Sequence, residues 1–137
     1  MVIKSIDIKV FEDSDDKLFE VVLGTACGHI LHGCLMAEPH EGNCQIIDKF
    51  DQLIEIDDME PIVDIKIVKI KTFVSIIAVS PTKLNQFVGL DDGLKVILDK
   101  YKNDPALRSQ HSITIPSRRN ALGEEMKAAE EIDSRTS

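Results

Sequence analysis

From residue 2 to residue 88 the chain consists of short segments in which apolar and polar residues alternate, or apolar residues run unbroken, each bounded by turn-forming residues. A period of two sends successive side chains to opposite faces of a strand, so this pattern predicts antiparallel strands. The expected strands cover roughly 2–11, 18–25, 29–36, 44–56, 61–71, 73–80 and 83–88. Glu12 to Lys17 reads as an acidic turn. Ala26, Cys27 and Gly28 make a tight connection between two apolar strands, with Gly28 supplying the positive φ such hairpins often need.

The period then changes. Leu90, Leu94, Ile97, Leu98 and Tyr101 fall at helical spacing behind two capping candidates, Asp91 and Asp92, which predicts one amphipathic helix over 91–101. Pro105 follows the end of that helix, and Ser112 to Ile115 reads as a further short strand closed by Pro116. From Ser117 onward the sequence is polar, with weak helical character over Asn120 to Ile132.

An internal repeat organises these elements. Asp7-Ile8-Lys9-Val10 recurs as Asp64-Ile65-Lys66-Ile67, and the hairpin from Val22 to Ile30 matches Ile76 to Leu84 in hydropathy. Each copy runs lead strand, apolar strand, tight turn, paired strand and a further strand, which is the make-up of a four-stranded propeller blade. The expected fold is therefore mainly β, a partial β-propeller of about two four-stranded antiparallel blades with one inserted helix and a polar tail. Blade one covers about 1–56 and blade two about 61–116 with the helix at 91–101, together a domain over 1–116; 117–137 is the tail. Two blades alone leave apolar faces and strand edges exposed. The chain is thus expected to be one end of a longer protein, to close its sheets on each other as a sandwich, or to be covered by a partner. The alternative is a compact α+β domain whose ligand pocket lies between the sheet and the helix at 91–101.

Composition narrows the function. With 137 residues, 43% of them hydrophobic and 29% charged, the body is expected to fold as a globular unit. The net charge of −8 argues against nucleic acid, whose binding draws on Lys and Arg neutralising phosphates. Lys66, Lys69 and Lys71 alternate with Ile and Val and read as a solvated strand face. No signal-peptide core or membrane-length apolar run stands in the sequence, and its three cysteines show no Cys-x-x-Cys, which suits a reducing, cytoplasmic setting.

Candidate chemistry is sparse. Cys27, His29, His32, Cys34, His40 and Cys44 cluster closely enough to weigh as zinc ligands, but only His32 and Cys34 share a strand face, with His29 pointing the other way. Nothing in the spacing selects a nucleophile pair of Cys27 or Cys34 with His40. Gly89 to Lys95 lacks the spacing and the hydroxyl of a phosphate loop, and Asp13, Asp15 and Asp16 lack the glycine of a calcium loop. The reading is non-catalytic, with no catalytic, cofactor-binding or metal residue assigned and no small-molecule substrate.

Several stretches carry a resemblance: Val22 to Ile30, Phe50-Asp51-Gln52-Leu53, Pro61-Ile62, and above all Val79-Ser80-Pro81-Thr82-Lys83-Leu84-Asn85-Gln86-Phe87-Val88-Gly89. They resemble the amino-terminal propeller of the deep orange family, the vacuolar protein sorting eighteen subunit of the class C tethering complexes, over roughly residues 18–116. The resemblance implies a protein-interaction platform and, as partners, subunits of the HOPS and CORVET complexes that tether endosomes to lysosomes or vacuoles before fusion. It also implies a cytoplasmic location, peripheral on late endosomes, lysosomes or the vacuole through those partners. Family members continue into a helical solenoid and a RING-type zinc module, and this sequence shows neither. The resemblance thus implies the propeller portion only, as a partial product, a variant with an alternative end or a duplicated fragment.

Overall fold

A computed structural model of the chain describes residues 1–10, 17–38, 42–56 and 59–115. The readings placed on Glu12, Asp13, Asp15, Asp16, His40, Pro116 and the segment from Ser117 lie outside the described residues. The fold is mainly β. Strands β1 (Ile3–Val10), β2 (Lys17–Thr25), β3 (His29–Glu38) and β4 (Asn43–Glu55) form one four-stranded antiparallel sheet in sequence order. Strands β5 (Asp64–Ile70), β6 (Phe73–Val79), β7 (Lys83–Leu90) and β8 (Ser112–Thr114) form a second, again in sequence order. Helices α1 (Leu94–Lys102) and α2 (Pro105–Gln110) stand between β7 and β8.

The two sheets share one core. Val22, Ile30 and Ile54 from the first sheet meet Ile65, Ile76 and Phe87 from the second, all almost fully buried. Burying each such side chain contributes about 1.5–3 kcal/mol. The sheets touch most closely where β1 runs beside β5, and α1 packs against β4 and β7 at the other side. The arrangement is a wedge: narrow at the first strands, open at the last, and filled by Leu94, Ile97, Leu98 and Tyr101 from α1. Gly89 lets the helix come this close, because a Cβ there would stand 2.7 Å from Ile97. Tyr101 completes the fit, meeting Phe87 edge to face at 5.1 Å while its hydroxyl accepts the Val88 N–H at 3.1 Å.

Polar residues of β1 fix how the sheets sit. Ser5, Asp7 and Lys9 alternate along the strand, and each reaches across to the second half. Ser5 Oγ donates to Ile62 O at 2.8 Å, Asp7 accepts the Ile67 N–H at 2.6 Å, and Lys9 pairs with Asp91. Asp7 thereby satisfies a backbone donor on β5, an edge strand that has no ladder partner on that side.

The repeat gives this packing a direction. Asp7 faces the second sheet, but its counterpart Asp64 is exposed, on the side of the second sheet turned away. Ile65 is fully buried against the first sheet, but its counterpart Ile8 is 47% exposed. The face that the first sheet buries therefore corresponds to the face that the second leaves outside, which is head-to-tail packing. The ladders also correct the hairpin match. Asp7 pairs with Val22 and Asp64 with Val79, so Val22 corresponds to Val79 and not to Ile76. The offset arises because β2 continues through Leu23, Gly24 and Thr25 before its turn, whereas β6 ends at Val79.

Other local expectations change too. Leu90 ends β7 and is exposed, so it is no part of the helical stripe. Asp91 and Asp92 do not cap α1; the residue at that position is Gly93, with no side-chain cap bond. Pro105 opens α2 instead of merely ending α1, with Asp104 as its cap accepting the Leu107 N–H at 3.1 Å. The lysines do not form one strand face: Lys66 and Lys69 differ by an odd count and face opposite ways, and Lys71 lies in the β5–β6 turn with φ 56°.

Gly28 has the expected positive φ, 81°, in the β2–β3 turn. That turn also anchors the connection between the sheets: Gly28 O accepts the Ile56 N–H at 2.7 Å, and Thr25 O accepts the Ile62 N–H at 2.9 Å. A Cβ at Gly28 would stand 2.8 Å from Glu60 O, so strain and contact act together. Gly28→Val is expected to destabilise the chain by roughly 2–4 kcal/mol, read as the shift in denaturation midpoint; an unchanged midpoint contradicts the turn geometry.

Candidate functional site

One apolar sheet face, and one strand of another, remain uncovered within the described residues. On the second sheet the register places Val68, Ile70, Phe73, Leu90 and Ile113 on the side away from the core. Ile70 is 62% exposed, Phe73 52%, Leu90 54% and Ile113 60%. The polar groups within this face include Lys66 and a satisfied cross-strand pair in which Gln86 Nε2 donates to Ser75 Oγ at 2.9 Å. On the first sheet, Ile6 and Ile8 are exposed on the outer side of β1, although Val21, opposite Ile8, is buried. Contiguous apolar surface of this kind marks a site for another macromolecule more than isolated exposed residues do.

A polar cluster lies on the inner side of the first sheet. Glu20 on β2 stands directly across from Cys34 on β3, and His32 is two residues earlier on the same face. Glu20 and His32 are both 4% exposed, and His32 Nε2 lies 3.0 Å from Glu20 Oε1. The same oxygen accepts the Leu94 N–H at 2.9 Å, so Glu20 does for α1 what the adjacent aspartates were expected to do. Its other oxygen, Oε2, is buried with no hydrogen-bond partner. The alternation of His32 and Cys34 was readable from sequence; Glu20 was missed, although centring the hairpin on Ala26 to Gly28 would have set it opposite Cys34.

The other weighed residues stay apart. His29 faces Glu55 at 3.9 Å, while Cys27 and Cys44 are exposed on a turn and on β4. Asp91 instead forms a small charge cluster with Lys9 and, at 3.3 Å, with Lys69. The Thr82 end of the Val79 to Gly89 stretch is held by Glu60, whose carboxylate accepts both the Thr82 N–H, at 3.2 Å, and its hydroxyl. A cleft of about 300 Å³ is lined by Ile54, Glu55, Lys83, Phe87, Arg108 and Ser112, among others. It lies against α2 and β8, not between the sheet and the helix at 91–101 as the α+β alternative expects, because the apolar stripe of α1 is wholly consumed by the core.

The chain matches no protein-family model, no curated protein and no solved structure. No helix among the described residues is long and apolar enough to cross a membrane.

The Asp91 cluster ties stability to pH. The hydrogen bond from Lys9 lowers the Asp91 pKa, burial opposes this in part, and Lys69 adds to the lowering. A carboxylate with a depressed folded-state pKa binds fewer protons when folded. Its contribution is complete above the unfolded value of about 3.9 and is lost as the pH falls through the lower folded value. Asp91→Asn is expected to lower the melting temperature at neutral pH by a few degrees, about 1 kcal/mol. Melts followed by circular dichroism should show the gap to the parent chain narrowing below about pH 4; a gap independent of pH would exclude the ionic contribution.

Proposed function

We propose that the chain is a non-catalytic protein-interaction module built as two blades of a β-propeller, resembling the amino-terminal propeller of the deep orange subunit, and that it serves assembly in class C tethering complexes. The supporting observation is the pairing of head-to-tail packing with a wedge-shaped gap between the sheets. In a propeller each blade presents one kind of face to the blade before it and the other kind to the blade after it, and blades diverge away from the axis. Here Asp7 and Asp64 take opposite sides in the two sheets, and β1 and β5 lie close while α1 fills the gap by β4 and β7.

A head-to-tail interface continues until a ring closes, whereas a two-fold interface ends with its pair. The uncovered face of the second sheet is thus the position for a further sheet, supplied by a partner, and the apolar residues from Val68 to Ile113 are its contact surface. The resemblance suggests subunits of the HOPS and CORVET complexes as the partners, and through them a peripheral place on late endosomal, lysosomal or vacuolar membranes. The negative charge of the chain fits recruitment by protein contacts better than direct attraction to anionic lipid.

Phe73→Lys provides the test, because Phe73 is half exposed and its replacement should leave stability within about 0.5 kcal/mol. Purified parent chain is expected to bind purified core subunits of the tethering complex in size-exclusion chromatography with light scattering, and Phe73→Lys to weaken that binding at least about tenfold. Failure of the parent chain to bind any of these subunits rejects the tethering assignment. Equal binding by parent and variant rejects this face as the contact.

A further inference from the structure

The Glu20, His32 and Cys34 cluster contains a carboxylate, an imidazole and a thiol whose ligand atoms all lie within 4.8 Å of one another. We infer that these three side chains form a binding site for a divalent transition metal ion of the zinc type. The donor set is the one such ions select, soft sulfur with nitrogen and a hard oxygen. Zinc bonds of about 2.0–2.3 Å place tetrahedral ligand atoms about 3.3–3.6 Å apart. The present separations are close to that spacing, since His32 Nε2 and Glu20 Oε1 are 3.0 Å apart and no pair of ligand atoms exceeds 4.8 Å.

The unpaired oxygen points to a ligand independently. Glu20 Oε1 is already engaged by the Leu94 N–H, which orients the carboxylate from behind as metal-binding carboxylates commonly require. Oε2 is buried and without a partner, and an unsatisfied buried acceptor costs about 1–3 kcal/mol. A cation supplies what Oε2 lacks. On binding, His32 exchanges through solvent the Nε2 proton it shares with Oε1 for one on Nδ1 and turns the freed Nε2 to the metal, Cys34 releases its thiol proton to solvent, and the Leu94 contact stays. One carboxylate and one thiolate then balance the two charges of the ion, so the occupied site carries no net charge.

Lys9, across the ladder from Glu20, does not oppose this by its charge alone, because Asp91 pairs with it. Among the described residues no fourth side chain of the metal-binding types joins the group, which leaves the remaining position to water. Cys34 is only half-buried and gives the site its side of entry. The same three residues without metal are a buried Glu20–His32 pair, and the experiment separates the two states.

The untagged 137-residue chain is prepared with Cys27→Ser and Cys44→Ser, removing the two exposed thiols, and titrated with Co(II). Expected is a thiolate-to-cobalt charge-transfer band with visible bands of tetrahedral cobalt, saturating at one equivalent and abolished by Zn(II). Adding Cys34→Ser should remove the charge-transfer band and weaken cobalt binding at least about 100-fold. Glu20→Gln also disturbs the end of α1, so Cys34→Ser at its half-exposed position carries the test, with circular dichroism confirming the fold. As a second readout, Zn(II) should raise the melting temperature of the parent by several degrees over an EDTA-treated sample and leave Cys34→Ser unmoved. Absence of the band, its persistence in Cys34→Ser, or a parent melting temperature indifferent to zinc overturns the site and leaves a metal-free Glu20–His32 pair.

Discussion

A four-stranded sheet that is apolar on both faces can bury only one of them against a single neighbour, and the organisation of this molecule follows from that constraint. The first sheet carries Val22 and Ile30 on the buried side and Ile6 and Ile8, both about half exposed, on the other; the second carries Ile65 and Ile76 inside and Ile70 and Phe73 outside. Hydrophobic burial is non-directional, so it would tolerate either pairing of faces and many angles between them. The choice is made by polar groups. Asp7 has a backbone donor waiting on β5, Ser5 has Ile62 O, and Lys9 has Asp91, and each contact exists only when the odd-numbered side of β1 faces inward. Turning the first sheet over would send Ser5, Asp7 and Lys9 to solvent and leave Ile62 O and the Ile67 N–H without these partners. The polar row on β1 therefore contributes orientation, and the apolar core contributes the free energy.

The wedge follows from the same row. Holding β1 close to β5 lets the far strands spread, and a gap lined by Ile30, Ile54 and Phe87 has to be filled. A helix inserted between β7 and β8 does this with a stripe of four buried residues. Its first turn cannot draw on Asp91, whose carboxylate is engaged with Lys9 and Lys69, so a donor at the helix start turns to Glu20 from the other sheet. One buried carboxylate thus links β2, β3 and α1.

Local pattern carried much of the fold. The eight strands and α1 were legible because period two and period 3.6 are properties of neighbouring residues, and Gly28 was legible because turn chemistry is local. The short α2 was legible in principle from Asp104-Pro105, yet a proline after a helix reads equally as its end. What could not be read was long-range. Asp91 and Asp92 precede a helix as caps do, and only the approach of Lys9 from β1 diverts the first of them. Lys66 and Lys69 are a different case, because their odd separation within one strand already places them on opposite faces. For the polar cluster, His32 and Cys34 followed from alternation, whereas Glu20 required the hairpin register and its role at α1 required the tertiary fold.

Head-to-tail packing also bears on how exposed surface is used. With two-fold packing the outer faces of both sheets would be alike, and each would attract a copy of itself. Here they differ: the outer side of the second sheet corresponds to the inner side of the first, which carries Ser5, Asp7 and Lys9. At those positions the second sheet has Asp64 and Lys66 beside Ile70 and Phe73, so its uncovered face has a polar edge along β5 and an apolar body. A partner suited to it must bring apolar surface to the body and hydrogen-bonding groups to the edge, as the second sheet itself does toward the first. Such a face selects by polar register as well as by burial, which is the property an assembly module needs and a sticky patch lacks.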